Sequence, residues 1–240
     1  MSEPSLCDIR EYEVKLIGGK EIIIFNSHNM ALPIWGLYSS KIGESLHLVT
    51  FDTHTDTIPA FRSFMCKKGL IDEYNNAVLE MPQVQKYLSD YRYSRVDFSL
   101  GDVYCIAADM PHTEQIRTGV VFDYLSSYTC VHHGESRKNY ETSDRFIGLD
   151  ATYLGDACIN DIQIRTPLAL DFDLDYFISP SLFDDNFFLV IKPLVEKAEV
   201  ITIAREPAYF NKEKANEADE YTWQDALNLL LAMIEQILNK

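Results

Sequence analysis

Two apolar runs in this chain each close on acidic residues spaced two apart, and that pattern limits what the chain can fold into more than any other. Residues 46–56 read LHLVTFDTHTD, so a β-branched, buried-type strand ends in Asp52, His54 and Asp56. Residues 167–177 read PLALDFDLDYF and end in Asp171, Asp173 and Asp175 at the same spacing. Clustered carboxylates repel one another and resist burial unless something positive sits among them. Two such clusters at the ends of apolar runs predict a shared metal site.

The rest of the chain places these clusters in a fold. VKLI and EIIIF flank Gly18-Gly19, which predicts two strands around a tight turn. A polar stretch, residues 26–29, precedes MALPIWGLYSSK, a short helix with capping residues ahead of it and Pro33 in its first turn. Ala60 to Lys67, Asp72 to Leu79 and the segment after Pro82 are helix candidates, and DVYCIA (102–107) is a short strand candidate. Val120 to Leu125 and Tyr128 to Val131 are apolar and ambiguous between helix and strand. Phe146 to Leu149 and Ile162 to Ile164 are weaker strand candidates. Phe183 to Lys197 reads as a helix kinked or broken at Pro193, and EVITIA (199–204) as a strand. Thr222 with Asp225 caps a last helix striped by Leu227, Leu230, Leu231, Ile234 and Leu238.

Short apolar strands alternating with helices predict an α/β fold with a largely parallel sheet covered on both faces. Such folds bind ligands beyond the carboxyl ends of their strands. His28, the Asp52 cluster, the Asp171 cluster and Glu206 all follow strand-like runs, so they are expected to converge. No Pro/Gly/Ser-rich linker or repeat interrupts the 240 residues, and one domain spanning 1–240 is expected.

Composition excludes some partners. With 37 acidic against 21 basic residues the net charge is −16, which disfavours a nucleic-acid backbone or an anionic membrane and leaves room for a cationic ligand or divalent ions. The simplest use of that charge is a solvated acidic surface. Five scattered cysteines without a C-x-x-C pair fit reduced thiols in a cytoplasmic protein. The N-terminus has no apolar core of a signal peptide, and the run Leu229 to Ile234 is too short to span a bilayer.

Oxygen-rich ligation with two imidazoles suits Mn²⁺, and Zn²⁺, Fe²⁺ or Co²⁺ would be accommodated. A carboxylate can bridge two ions, and two ions about 3.5 Å apart ionise a shared water at neutral pH. Hydrolysis of a poorly reactive carbon–nitrogen bond is the reaction class this predicts. Each piece taken alone has a plainer reading: a turn, a calcium loop or a loop histidine.

Asp52-Thr53-His54-Thr55-Asp56 resembles the D-x-H-x-D signature of the ureohydrolase superfamily (arginases, agmatinases and relatives), and Asp171-Phe172-Asp173 its later D-x-D. His28 is similar to the histidine ahead of that superfamily's first helix. The resemblance implies a single-domain, three-layer arginase-like fold and two Mn²⁺. It implies that Asp52 and Asp171 bridge them, with His28 and Asp56 completing one shell and His54 and Asp173 the other. The HN-x-AL-x-x-W segment (28–35) and the short length look more like the divergent peptide-arginase branch, whose members convert arginine side chains of ribosomally made precursor peptides to ornithine. Glu206, after EVITIA, matches the position of a glutamate that pairs with the guanidinium, and a planar cation is well held by a bidentate acceptor.

The chain also departs from the pattern. Arginases carry a glycine and a proline around the third aspartate, where this chain has Asp175-Tyr176-Phe177. Asp175 is expected behind the ligands, orienting a histidine or a backbone group. The loop that grips the α-amino and α-carboxyl groups of free arginine is not recognisable, which favours a peptide. The proton-shuttle histidine has no clear match; His112, His132 and His133 are candidates. The expected activity is therefore a dimanganese hydrolase acting on peptidyl arginine. A small-molecule guanidino hydrolase and a non-catalytic metal-binding interaction module are the alternatives, and the oligomeric state stays open.

Overall fold

A computed structural model describes residues 12–54, 56, 60, 66, 103, 107, 110, 113–132, 146–150, 162, 164–214 and 220–239. His112, His133, the His132 side chain and nearly all of the helices expected between residues 60 and 91 lie outside them.

Gly18 and Gly19 both adopt positive φ, 55° and 83°, as two-residue hairpin turns require. They join β1 (Glu13–Ile17) to β2 (Lys20–Phe25) as an antiparallel pair. With β3 (Leu46–Phe51), β4 (Leu125–His132), β5 (Phe146–Asp150), β6 (Leu168–Asp173) and β7 (Ala198–Ala204) they form a seven-stranded sheet in the order β1-β2-β7-β6-β3-β4-β5. Pairing is parallel between β2 and β7, β7 and β6, β6 and β3, and β4 and β5. The near-continuous apolar runs of β2, β3, β6 and β7 are those of strands buried on both faces.

The described residues fall into two compact units. The smaller comprises residues 29–45 and the described positions from 56 through 126. It holds α1 (Ala31–Ile42), which ends on Gly43 in the left-handed conformation with its N–H on Ser39 O. It also holds α2 (Gln115–Val121), packed on α1. Polar capping expected ahead of α1 is absent: Met30 is its N-cap, without a side-chain cap. The Asn29 amide instead donates to the carbonyls of Ala107 and Met110 at 2.6 and 3.0 Å. Val103 and Ala107 are helical, not extended as expected for 102–107. A short apolar run does not by itself distinguish the two states.

The larger unit holds the sheet from Ser127 onward in β4, together with the other strands and α3 (Asp185–Lys197), α4 (Pro207–Glu213) and α5 (Trp223–Leu238). α3 begins where Asp184 accepts the Phe187 N–H at 2.8 Å and runs through Pro193 without a break. α5 starts on the predicted capping box of Thr222 and Asp225. Ile162 and Ile164 are not in a strand.

Strand alternation sorts the sheet into two faces. Val49, Phe51, Leu170, Phe172, Ile201 and Ile203 join one core with Phe187, Ile191, Leu230 and Ile234 of α3 and α5. Phe51 stacks on Phe172 with centroids 5.3 Å apart and meets the Phe187 ring edge-on. Each such ring contributes roughly 1.5–3 kcal/mol on burial. The intervening residues, Thr50, Asp171 and Thr202, point to the opposite face, and all three are fully buried. Among the described residues no helix is long and apolar enough to cross a membrane.

Candidate metal centre

Register decides where the aspartates stand. Phe51 pairs with Phe172, so Asp52 and Asp173, one residue further along each strand, leave neighbouring strands at the same level. Asp173 is also level with Ala204 at the end of β7, and Ala204 with Phe25 at the end of β2. His28 and Glu206 follow three and two residues beyond those ends. Four parallel strand ends thus deliver Asp52, Asp173, Glu206 and His28 to one edge, as the sequence predicts. Asp171 pairs with Thr50 and Thr202 instead, two residues back, or roughly 6–7 Å deeper in the sheet.

Asp52 and Asp173 make the same local turn. Asp52 Oδ1 accepts the His54 N–H at 2.7 Å, and Asp173 Oδ1 accepts the Asp175 N–H at 3.3 Å. Such side-chain-to-backbone bonds are what aspartate offers a chain leaving a strand. The other oxygens converge: Asp52 Oδ2 and Asp173 Oδ2 lie 3.4 and 3.2 Å from His28 Nδ1. The second members of the two turns meet as well. His54 Nδ1 lies 3.1 Å from Asp175 Oδ2 and 3.8 Å from Asp52 Oδ1. Thr53 fastens this second meeting, donating its N–H to Asp175 Oδ1 at 3.3 Å and its hydroxyl to Asp175 O at 2.8 Å.

Asp171 has a different environment. Its Oδ2 lies 2.7 Å from His28 Nε2 and accepts the Thr50 hydroxyl at 2.7 Å, while its Oδ1 accepts the Thr202 hydroxyl at 2.5 Å. Thr50 and Thr202 were not singled out in the sequence. The signal was there, since each is a hydroxyl residue within an otherwise apolar run, LVTF and VITIA.

Glu206 sits in the left-handed region at φ 35° and ψ 56°, as N-cap of α4. Its side chain does not cap that helix; Oε1 accepts the His28 N–H at 2.9 Å. Glu206 N–H is held by Asn26 O. Tyr209 presents its ring edge-on to His54, with centroids 6.4 Å apart. Asp56 belongs to the smaller unit, where it is buried at φ 47° and accepts the Gln115 amide at 2.6 Å.

Burial opposes a charged His28, but the Asp171, Asp173 and Asp52 carboxylates outweigh it and hold its pKa well above the ordinary value. Burial, then the charge of Asp175, raise the Asp173 pKa well above the carboxylate range, with Glu206 adding to the rise and His28 opposing it. Three aspartates, Asp52, Asp171 and Asp173, all at most 2% exposed, face this one buried imidazole.

This donor set fits a divalent cation. Donor atoms about 2.1 Å from one ion and 90–109° apart are about 3.0–3.4 Å from each other, the range spanned by His28 Nδ1 with Asp52 and Asp173 and by His54 with Asp175. Donor atoms of Asp52, His54 and Asp175 all lie within 4.8 Å of one another. Asp175 Oδ2 is buried and takes no hydrogen bond among the described residues, so it and His54 Nδ1 lie side by side without being aimed at each other.

No protein-family model and no curated protein matches the sequence. A solved structure does match: proclavaminate amidino hydrolase from Streptomyces clavuligerus, with a TM-score of 0.53 at 13% identity, over 90% of this chain. The chain has an arginase-like α/β fold. It spans 62% of the length of that enzyme, and its mainly parallel sheet with flanking helices is the architecture expected from the sequence.

Proposed function

We propose that the chain is a divalent-metal hydrolase of guanidino carbon–nitrogen bonds, acting on arginine side chains of a precursor peptide to give ornithine and urea. The observation that carries this reading is the delivery of His28, Asp52, His54, Asp173, Asp175 and Glu206 to one edge by the ends of β2, β3, β6 and β7. The D-x-H-x-D pattern adds Asp56 to the proposed ligands. Two bound ions, Mn²⁺ by the oxygen-rich donor set, would supply Lewis acidity and nucleophilic water at neutral pH.

The protein's own groups do the rest. Glu206 Oε1 is fixed by the His28 amide, which orients the carboxylate to receive a guanidinium by charge-assisted hydrogen bonds. Water adds to the guanidinium carbon, the bond from that carbon to Nε breaks, and Nε leaves as the ornithine amine after gaining a proton. The carbon departs with its remaining nitrogens as urea. His112, His132 and His133 are the proposed sources of that proton.

An amidino hydrolase among the structural matches favours a second substrate class, a small guanidino compound. Incubating Mn²⁺-loaded protein with an arginine-containing peptide, and separately with free arginine and agmatine, and following mass distinguishes them. Loss of CH₂N₂ per arginine on the peptide alone supports the first reading; loss on the small molecules alone replaces it with the second. No conversion of any of them, with two ions bound, overturns the guanidino hydrolase reading.

A further inference from the structure

We infer that the outer edge of β1 pairs with the same edge of a second copy of this chain, antiparallel and with a twofold axis at Val14. Neither metal nor substrate is needed for this pairing.

Among the described residues β1 is an end strand of the sheet, with β2 on one side and no strand on the other. The hairpin fixes which way its peptide groups point. A two-residue loop closes on Ile17 and Lys20, which bond each other through N–H and C=O; alternation then joins Lys15 to Ile22 and Glu13 to Ile24. Val14 and Leu16 therefore turn their N–H and C=O groups away from β2. Their side chains share one face of the strand, with Val14 opposite Ile23, and stay 45% and 72% exposed. Tyr12, on the same face, meets Phe25 edge-on with centroids 5.7 Å apart. An edge with outward peptide groups and exposed apolar side chains is a template for another strand.

Charge selects the occupant and the register. On the other face Glu13 and Lys15 stand 3.0 Å apart, and the contact with Lys15 keeps the Glu13 carboxyl below its usual range. Charges on an edge strand ordinarily block pairing. Two copies of Glu-x-Lys running antiparallel are complementary in one register. With the axis at Val14, each Glu13 faces Lys15 of the other copy, Val14 faces Val14, and Tyr12 faces Leu16. Ionic pairs then fill one face and apolar pairs the other, and both kinds of cross-strand pair stabilise a sheet. An axis at Lys15 sets the two ammoniums against each other, and an axis at Leu16 leaves Glu13 opposite Gly19 and Lys15 opposite Ile17. An axis between residues would oppose outward to inward peptide groups. A strand of another protein need carry no such complement; a second copy carries it by symmetry.

The test uses the full-length chain at physiological ionic strength, where long-range repulsion between two chains of charge −16 is screened. Sedimentation equilibrium over a concentration series is combined with hydrogen exchange of the Val14 and Leu16 amides. The expected result is a reversible dimer in which both amides gain protection as concentration rises. Lys15→Glu opposes like charges at two places and is expected to raise the dimer Kd about tenfold or more, and adding Glu13→Lys to it is expected to restore the affinity. Because Glu13→Lys also gives up the contact with Arg205, thermal unfolding is read on every variant. Val14→Cys and Leu16→Cys report the register under mild oxidation, with linked peptides identified by mass. At the axis the two Cα atoms of residue 14 are about 5.5 Å apart and can be bridged. Those of residue 16 are four residues, or about 13 Å, apart and cannot. A link through Leu16→Cys in place of Val14→Cys overturns the register. A chain that stays monomeric overturns the inference, and amides protected equally at every concentration in that monomer assign the edge to another segment of the same chain. A dimer that ignores the charge reversal and links neither cysteine uses a different surface and overturns it as well.

Discussion

The backbone amide of His28 donates to Glu206 Oε1 at 2.9 Å, joining two residues 178 positions apart in sequence. The contact fastens the loop after β2 to the loop after β7 and fixes one oxygen of the carboxylate proposed to meet the substrate. The position of His28 and the position of Glu206 are therefore set together.

Glu206→Gln separates the two roles of that side chain. The amide oxygen can still accept the His28 N–H, so metal content and unfolding temperature are expected to stay near wild type. Loss of the charge removes charge-assisted hydrogen bonds to a guanidinium, and kcat/KM is expected to fall roughly 10- to 100-fold. Steady-state kinetics on the peptide check this, and unchanged kcat/KM removes Glu206 from the proposed mechanism.

The left-handed backbone of Glu206 makes a second prediction. At φ 35° a Cβ is strained, so Glu206→Gly is expected to be more stable than Glu206→Ala by about 1 kcal/mol, although both lack the carboxylate. Urea titration of the two variants measures the difference directly. Equal midpoints would mean that the surroundings relax this strain.

Metal-free protein should lose stability as pH rises. The folded pKa values of His28 and Asp173 both lie above their ordinary values, 6.5 and 3.8. A proton bound more tightly in the folded state stabilises it fully below the ordinary pKa, and that contribution is lost as pH rises through the folded pKa. For His28 the loss begins above pH 6.5. Urea midpoints of the metal-free protein measured from there upward are expected to fall, and Mn²⁺ is expected to flatten the slope by taking the proton's place. A midpoint that rises with pH in the metal-free protein would contradict this.

Thr222→Ala tests the start of α5. It removes the hydroxyl that accepts the Asp225 N–H and is expected to cost about 1 kcal/mol, within the usual range for a lost N-cap. Because α5 packs on α3 over the sheet core, the loss should appear in the global urea midpoint. Metal binding, read separately, should not change.

Much of the fold was legible in the chain because period and punctuation agreed. The Gly18-Gly19 hairpin, the strands at 46–51, 168–173 and 198–204 and the capped last helix each carry a local signal strong enough to survive packing. The segment at 102–107 shows the limit, since six mainly apolar residues carry no period long enough to settle helix against strand. The candidate site was legible as a composition of residues at strand ends, including His28 and Glu206. The different surroundings of the three aspartates within D-x-D-x-D were not. Three aspartates at equal spacing look alike until strand pairing sets one level with Thr50 and Thr202 and another level with the end of β7. Register across strands is a tertiary fact. The left-handed turn at Glu206 is likewise imposed by β2 and β7, whose ends hold its amide on Asn26.

The matched turns at Asp52 and Asp173 have a consequence for how this edge behaves before and after loading. Each carboxylate is braced by its own backbone, so its direction is set by the strand that precedes it and not by an incoming ion. Loading the centre should therefore resemble filling a finished socket more than triggering a fold. An ion held there would meet the outer oxygen of each carboxylate while the inner one stays braced by its own backbone.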